Sequence, residues 1–214
     1  MTRARRTAVG LALGGLAVAC GACSPPPEPT VMETPAIVWK DGIEPSSLLE
    51  DHELVQVARR AEVGRSMAWN SGDFTITQLT DNVGVSLITS AARTYGEQRE
   101  MPWADPGPDV WEPLEILKES AGGGVIAVCR PRRGEAWFIS EKDATFGEVE
   151  PEGSVDWITI AREGGRLKLV KYDSSPDFAD CDASGVPIGL FDPLPEVPTE
   201  PVYEPVRPPL FEEQ

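Results

Sequence analysis

The side chains that could do chemistry in this chain are few in kind: one histidine, four cysteines, a knot of arginines and a large excess of carboxylates. His52 is the only histidine, so metal sites built on two histidines are excluded. It stands between Asp51 and Glu53 and reads as a solvated residue in a first helical turn. A serine–histidine pair would have to use it, and the chain holds no Gly-x-Ser-x-Gly elbow. Gly122-Gly123-Gly124 lacks the lysine and the spacing of a phosphate-cradling loop, and reads as a turn. Asp173, Asp177, Asp180 and Asp182 crowd around Cys181. Oxygen ligands suit calcium, but their spacing does not match the twelve-residue calcium loop, so an acidic surface loop is expected. Arg130, Arg132 and Arg133 form the basic knot; pairing with neighbouring acids is expected, with a wall phosphate or a partner carboxylate as the sharper alternative. Paired carboxylates can do acid/base work. With 35 acids some pair always lies within reach, so the signal singles out none. The expectation is no catalytic residue, no metal site and no cofactor.

The cysteines fall into two groups. Cys20 and Cys23 end a leader in which Arg3, Arg5 and Arg6 precede the apolar, small-residue run Thr7 to Ala19. A basic start, an apolar middle and small residues before a cut make a secretory signal. The run is too short for a spanning helix, which needs about 20 residues. Ala17-Val18-Ala19-Cys20 resembles the lipobox of bacterial lipoproteins. The resemblance implies transfer of a diacylglyceryl group to the thiol, cleavage before the cysteine, acylation with fatty acids such as palmitate, and a mature chain anchored in the cell membrane on its extracytoplasmic face. Two or more acyl chains, at about 0.8 kcal/mol per buried methylene, hold firmly. Cys20 fits the local pattern better. Cys23 is the alternative: a cysteine stands where its lipobox wants an aliphatic residue, yet it would leave one clean cysteine pair behind.

That pair is Cys129 and Cys181. Outside the cytoplasm disulfides persist, so the two are expected to be joined. They close a loop of 52 residues, for which chain entropy predicts roughly 4 kcal/mol. All the acids follow Cys20, and three arginines precede it. The mature chain therefore carries 16 basic against 35 acidic residues, a net charge of −19. Nucleic-acid binding, which needs lysine and arginine stripes, is disfavoured.

Four segments are expected: a signal peptide 1–19, a lipidated proline-rich tether 20–45, an α+β domain 46–190, and a proline-rich acidic tail 191–214. Ser24 to Pro35 cannot build a core and reads as a stiff stalk. Ser47-Leu48-Leu49-Glu50 has the form of a capping box. Leu54, Val57, Ala58, Ala61 and Ala68 then recur at helical spacing, with Glu53, Arg59, Arg60 and Glu62 assigned to the exposed face. Asn70 to Asp73 stops this helix. A second follows through Val83, Leu87, Ala91 and Tyr95. Met101 to Pro113 reads as a loop. From Trp111 the pattern turns to strands, at 114–119, 124–129, 135–140, 155–161 and 167–172, the last pair joined at Glu163-Gly164-Gly165. Helices first and an antiparallel meander afterwards argue an α+β fold.

Two motifs carry a wider resemblance. Ala68-Trp69-Asn70-Ser71-Gly72-Asp73-Phe74 looks like the end of the first helix in the nuclear transport factor 2-like superfamily, which includes the SnoaL-like proteins. The hairpin Trp157 to Leu169 is similar to that superfamily's last two strands. The resemblance implies a cone: N-terminal helices packed on a curved antiparallel sheet, with a pocket inside. Trp69, Phe74, Tyr95, Trp137 and Trp157 would then line the pocket. Enzymes of that superfamily typically hold an aspartate–histidine pair in the cone, and no matching histidine is present here. The expected function is non-enzymatic: an envelope protein that binds another envelope protein or a small ligand, anchored to the membrane by its lipid. A SnoaL-like enzyme and a structural spacer are the alternatives.

Overall fold

The computed structural model describes residues 28–98, 103–132, 150–175, 179–200 and 204–209. A short strand, β1 (Ala36–Trp39), leads into three helices: α1 (Glu53–Ser71), α2 (Thr77–Thr80) and α3 (Val85–Gln98). Strands β2 (Glu112–Ser120), β3 (Gly123–Pro131), β4 (Glu152–Glu163) and β5 (Arg166–Ser174) pair in that order, all antiparallel. β6 (Asp180–Asp182) adds to the start of β4, and β7 (Gly189–Asp192) returns to pair with β1. The architecture is α+β, with helices packed against one face of an antiparallel sheet.

α1 forms where the spacing predicts it. Leu54, Val57, Ala58, Ala61 and Ala68 are all buried, and the helix packs across β3, β4 and β5. Ala58 and Ala61 are fully buried, so no bulk holds the helix off the strands. Gly64 serves a second approach: a Cβ there would stand 2.4 Å from the Gln78 carbonyl oxygen of α2. Gly72 ends the helix in the left-handed region, φ 68°, where only glycine sits without strain. α3 is tied to the sheet as it begins. Glu163 accepts from the Val85 amide at 3.0 Å, and Leu169 exchanges backbone hydrogen bonds with Asn82 and Gly84. The turn between β4 and β5 is Gly164-Gly165, at φ 60° and 84°.

Four local expectations change. Ser47 does not cap α1. Its hydroxyl takes the Leu49 amide and reaches the Pro113 carbonyl, while Nδ1 of His52 accepts from the Leu54 amide and begins the helix. His52 is thus a cap rather than a solvated side chain. Arg59 does not lie on an open face. It forms two hydrogen bonds to Glu50, at 2.7 and 3.2 Å, and its guanidinium lies 3.6 Å from the centre of the buried Trp111 ring. Glu62, also assigned to the exposed face, is 1% exposed. Arg59 finds its carboxylate in the turn before the helix, and Glu62 is covered by Arg65 on its own helix and by Tyr172 of the sheet.

The proline-rich flanks also take part. β1 pairs with β7 across 150 residues of chain or more. Thr30 bridges to Ile76, and its hydroxyl meets that of Thr75 at 3.1 Å. Arg207 exchanges backbone hydrogen bonds with Gly72 and Phe74. Its guanidinium bonds the Thr30 hydroxyl and stands 4.0 Å from Asp73. Parts of the expected stalk and tail therefore dock on the turn after α1.

Cys129 and Cys181 are joined, with alpha carbons 5.9 Å apart. Pairing puts Gly153 opposite both Pro131 and Cys181, so the bridge crosses β4 there. A Cβ on Gly153 would stand 3.0 Å from the Cys181 sulfur. Val110, Ala183 and Val186 complete a small second core around Cys129. The expected strand 135–140, Trp137, Phe138, Arg133, Asp177, Cys20 and Cys23 lie outside the described residues.

Candidate functional site

The inner face of the sheet changes character along its strands. Gly124, Ile160 and Leu169 lie near one end of β3, β4 and β5, then Ile126, Ile158 and Tyr172, then Val128 and Asp156, with Arg130 beyond. α1 runs over this gradient. Its first half meets the apolar end. Its second half carries Glu62 and Arg65 over Tyr172.

There the side chains form a chain of bonds. Arg65 donates to Glu62 at 2.9 Å and to the Tyr172 hydroxyl at 2.5 Å, and that hydroxyl donates to the other Glu62 oxygen at 2.5 Å. Arg130 stands within 3.4 Å of Asp109 and 3.5 Å of Asp156, and its guanidinium lies 5.2 Å from the Tyr172 ring. Removal from water, and then Glu62, hold the Tyr172 hydroxyl well above the phenolic range. Burial would lower Arg65, but Tyr172 and Glu62 outweigh it and keep the guanidinium charged.

A cavity of about 330 Å³ opens beside this network. Glu62, Arg65, Ser66 and Trp69 of α1 form one wall, and Leu87, Ser90, Ala91 and Thr94 of α3 another. Phe74 and Leu79 close the floor, and Asp105, Gly107 and Asp109 form the rim. Asn70 fixes that rim: its amide donates to the Asp105 carbonyl at 2.9 Å and accepts from the Asp105 amide at 2.8 Å. Gly107 packs so tightly on β7 that a Cβ would fall 2.0 Å from the Gly189 oxygen. The rim loop is held at Asp105 and at Gly107.

Of the expected pocket residues, Trp69 and Phe74 line this cavity. Tyr95 stands behind them, edge-on to both rings at 5.2 and 5.5 Å. Trp157 does not join them. It alternates with the buried Ile158 and Ile160 along β4, so it projects to the opposite face of the sheet. Arg132 pairs with Glu152 and Asp180, which is the pairing with acids that the basic knot suggested. Asp182 accepts from the Ser184 amide, which holds its carboxyl below the usual range. Among the described residues no group of three or more histidine, cysteine, aspartate or glutamate side chains could hold a metal ion. Among them too, no helix is long and apolar enough to cross a membrane.

Glu62, Arg65 and Tyr172 were not singled out by sequence. The available signal was the stripe Ala58, Glu62, Arg65, Trp69, which continues the buried face at helical spacing. No protein-family model matches this chain, and no match was found among curated proteins or among solved structures.

Proposed function

We propose that this chain is a lipid-anchored protein of the cell envelope whose α+β domain binds a ligand in the cavity between α1 and α3, without catalysing its conversion. The observation that carries the reading is the cavity of about 330 Å³, walled by two helices and held open by the Asn70–Asp105 pair. Concave sites with mixed walls and a few convergent polar groups are where proteins hold small molecules or one side chain of a partner. The cone of the nuclear transport factor 2-like superfamily is consistent with irregularities in β2 and between Thr159 and Ile160, since bulges curve a sheet. The anchor is Cys20, with Cys23 as the alternative. Residues 46–190 make the binding domain, and the flanks 20–45 and 191–214 combine docked and extended segments.

A SnoaL-like enzyme is the second reading, favoured by one observation: a carboxylate in the cavity wall, Glu62, hydrogen-bonded to Tyr172. Against it, the Glu62 charge is balanced by Arg65, and Tyr172 keeps its proton. Both features suit holding a ligand better than moving protons.

The test uses the full chain in its own cells. Fatty-acid label should enter the protein and be lost in Cys20→Ala; loss only in Cys23→Ala moves the anchor. A photoreactive residue at Ala91 should capture a ligand, and Ser90→Phe, which fills the cavity, should abolish capture. Undiminished capture in the filled variant defeats the binding reading.

A further inference from the structure

A second cavity lies on the other side of Glu62, between α1 and the β1–β7 ribbon. Its volume is about 300 Å³. Ile37, Trp39 and Val63, with Pro45, Pro108 and Pro187, supply apolar walls. Glu50, Glu62 and Asp109 bring three carboxylates to its lining against one cation, Arg59. We propose that this cavity is a binding site for a small organic cation, an amine with an aromatic or branched apolar body. The ammonium would meet Glu62 and Asp109, and the body would lie against Trp39, Ile37 and Val63. The proposal does not depend on what the first cavity binds.

The walls are built rather than incidental. A Cβ on Gly189 would stand 2.9 Å from the Ile37 side chain and 3.0 Å from the Trp39 ring, so glycine is what lets Trp39 lie flat on the ribbon. The opposite rim is the loop that Gly107 and the Phe191–Pro106 hydrogen bond pin to β7. A preformed apolar site loses little order on binding. Its polar end offers acceptors. Arg59 is held by Glu50 and stacked on Trp111, so its charge is used within the wall. Glu62 and Asp109 have partners of their own, but a carboxylate offers about four acceptor sites. Glu62 accepts one hydrogen bond on each oxygen, from Arg65 and Tyr172. A further donor can therefore join without displacing either. Each carboxylate has an arginine of its own, Glu50 with Arg59, Glu62 with Arg65 and Asp109 with Arg130, but Arg65 and Arg130 are not part of the lining, so an anion would meet acceptors there in a chain of net charge −16. A neutral ligand would forgo the field, and a cation gains from it.

The full chain should be titrated with 2-phenylethylammonium, 2-phenylethanol and 3-phenylpropanoate, read by calorimetry and by NMR shifts of indole and methyl groups. The amine should bind saturably, at least tenfold more tightly than the alcohol, with the carboxylate undetected. Shifts should centre on Trp39, Ile37 and Val63. Val63→Trp should abolish binding by filling the cavity. If that variant fails to fold, Trp39→Ala, on the peripheral ribbon, should weaken binding tenfold or more. Equal affinity for amine and alcohol would overturn the proposal, as would full binding in the variants. Shifts confined to Trp69 and Ala91 would also overturn it while leaving the first cavity's role intact.

Discussion

The two halves of α1 rest on the same three strands and solve opposite problems. Along Leu54 to Ala61 the inward residues Leu54, Val57, Ala58 and Ala61 are buried in one apolar cluster with Ile160 and Leu169, and Ala58 and Ala61 add no bulk between helix and sheet. Glu62 to Trp69 lies over Tyr172, Arg130 and Asp156, where polar groups replace methyls and the first cavity opens. Burial of apolar surface holds the first half without directional demands. The second half is held by bonds that must all be made at once, because a buried polar group left without its partner costs more than the bond returns. The first cavity opens at the second half, and the second begins where the two halves meet, along Gln56, Arg59, Glu62 and Val63.

The sharpest way to break this contrast is Glu62→Ala. It leaves Arg65 without its carboxylate and the Tyr172 proton without its acceptor, against the sheet. The expected cost is roughly 2–4 kcal/mol in a denaturant melt, toward the lower part of the buried-pair range, because Arg65 keeps 36% of its side chain exposed. A cost under about 1 kcal/mol would mean the network is solvated in practice. In the dry half, Ala61→Phe should overpack the helix against the sheet and cost about 1–3 kcal/mol. If that change is silent, the first half is not close-packed.

The pH response separates the halves further. Tyr172 is raised in the folded protein above its unfolded value of about 10. Its contribution is therefore complete below pH ~10 and is lost as pH rises beyond it. Wild-type stability should fall above that pH by up to one proton's slope more than Tyr172→Phe, measured by urea melts between pH 8 and 11. Parallel curves would show that the hydroxyl titrates freely. The smallest effect belongs to the start of the helix. His52→Ala should cost about 1 kcal/mol and His52→Asn only a few tenths, since asparagine can also cap. Equal losses would show that the imidazole acts through Glu119, 3.5 Å from its Nε2, rather than through the cap.

The apolar contacts of α1 were legible in sequence and its polar contacts were not. Ala58, Ala61 and Ala68 recur at 3.6-residue spacing, Gly72 marks the stop, and Gly164-Gly165 marks the hairpin; all are local signals. Arg59 and Glu62 read as solvent-facing because their partners, Trp111 and Tyr172, lie 52 and 110 residues away. The start of α1 was misplaced for a related reason. Ser47 and Glu50 have the residue types of a capping box, but Pro113 and Arg59 compete for them. Pairing of β1 with β7 is a contact between chain ends, and no periodicity reports it. Trp157 shows the converse error: an aromatic was assigned to a pocket by type, when strand alternation had already sent it to the other face.

The meeting of Thr30 and Arg207 on the turn after α1 has a topological consequence. Chain ends that touch can be exchanged for others. A permuted protein, with Thr30 and Arg207 joined through a short linker and new ends opened at Gly164-Gly165, keeps every strand pairing except the closing turn of β4 and β5. Such a chain should fold and retain both cavities. The order in which the segments are strung together would then be incidental to the architecture. The clasp at Asp73 would be revealed as the seam where this fold could equally well have begun.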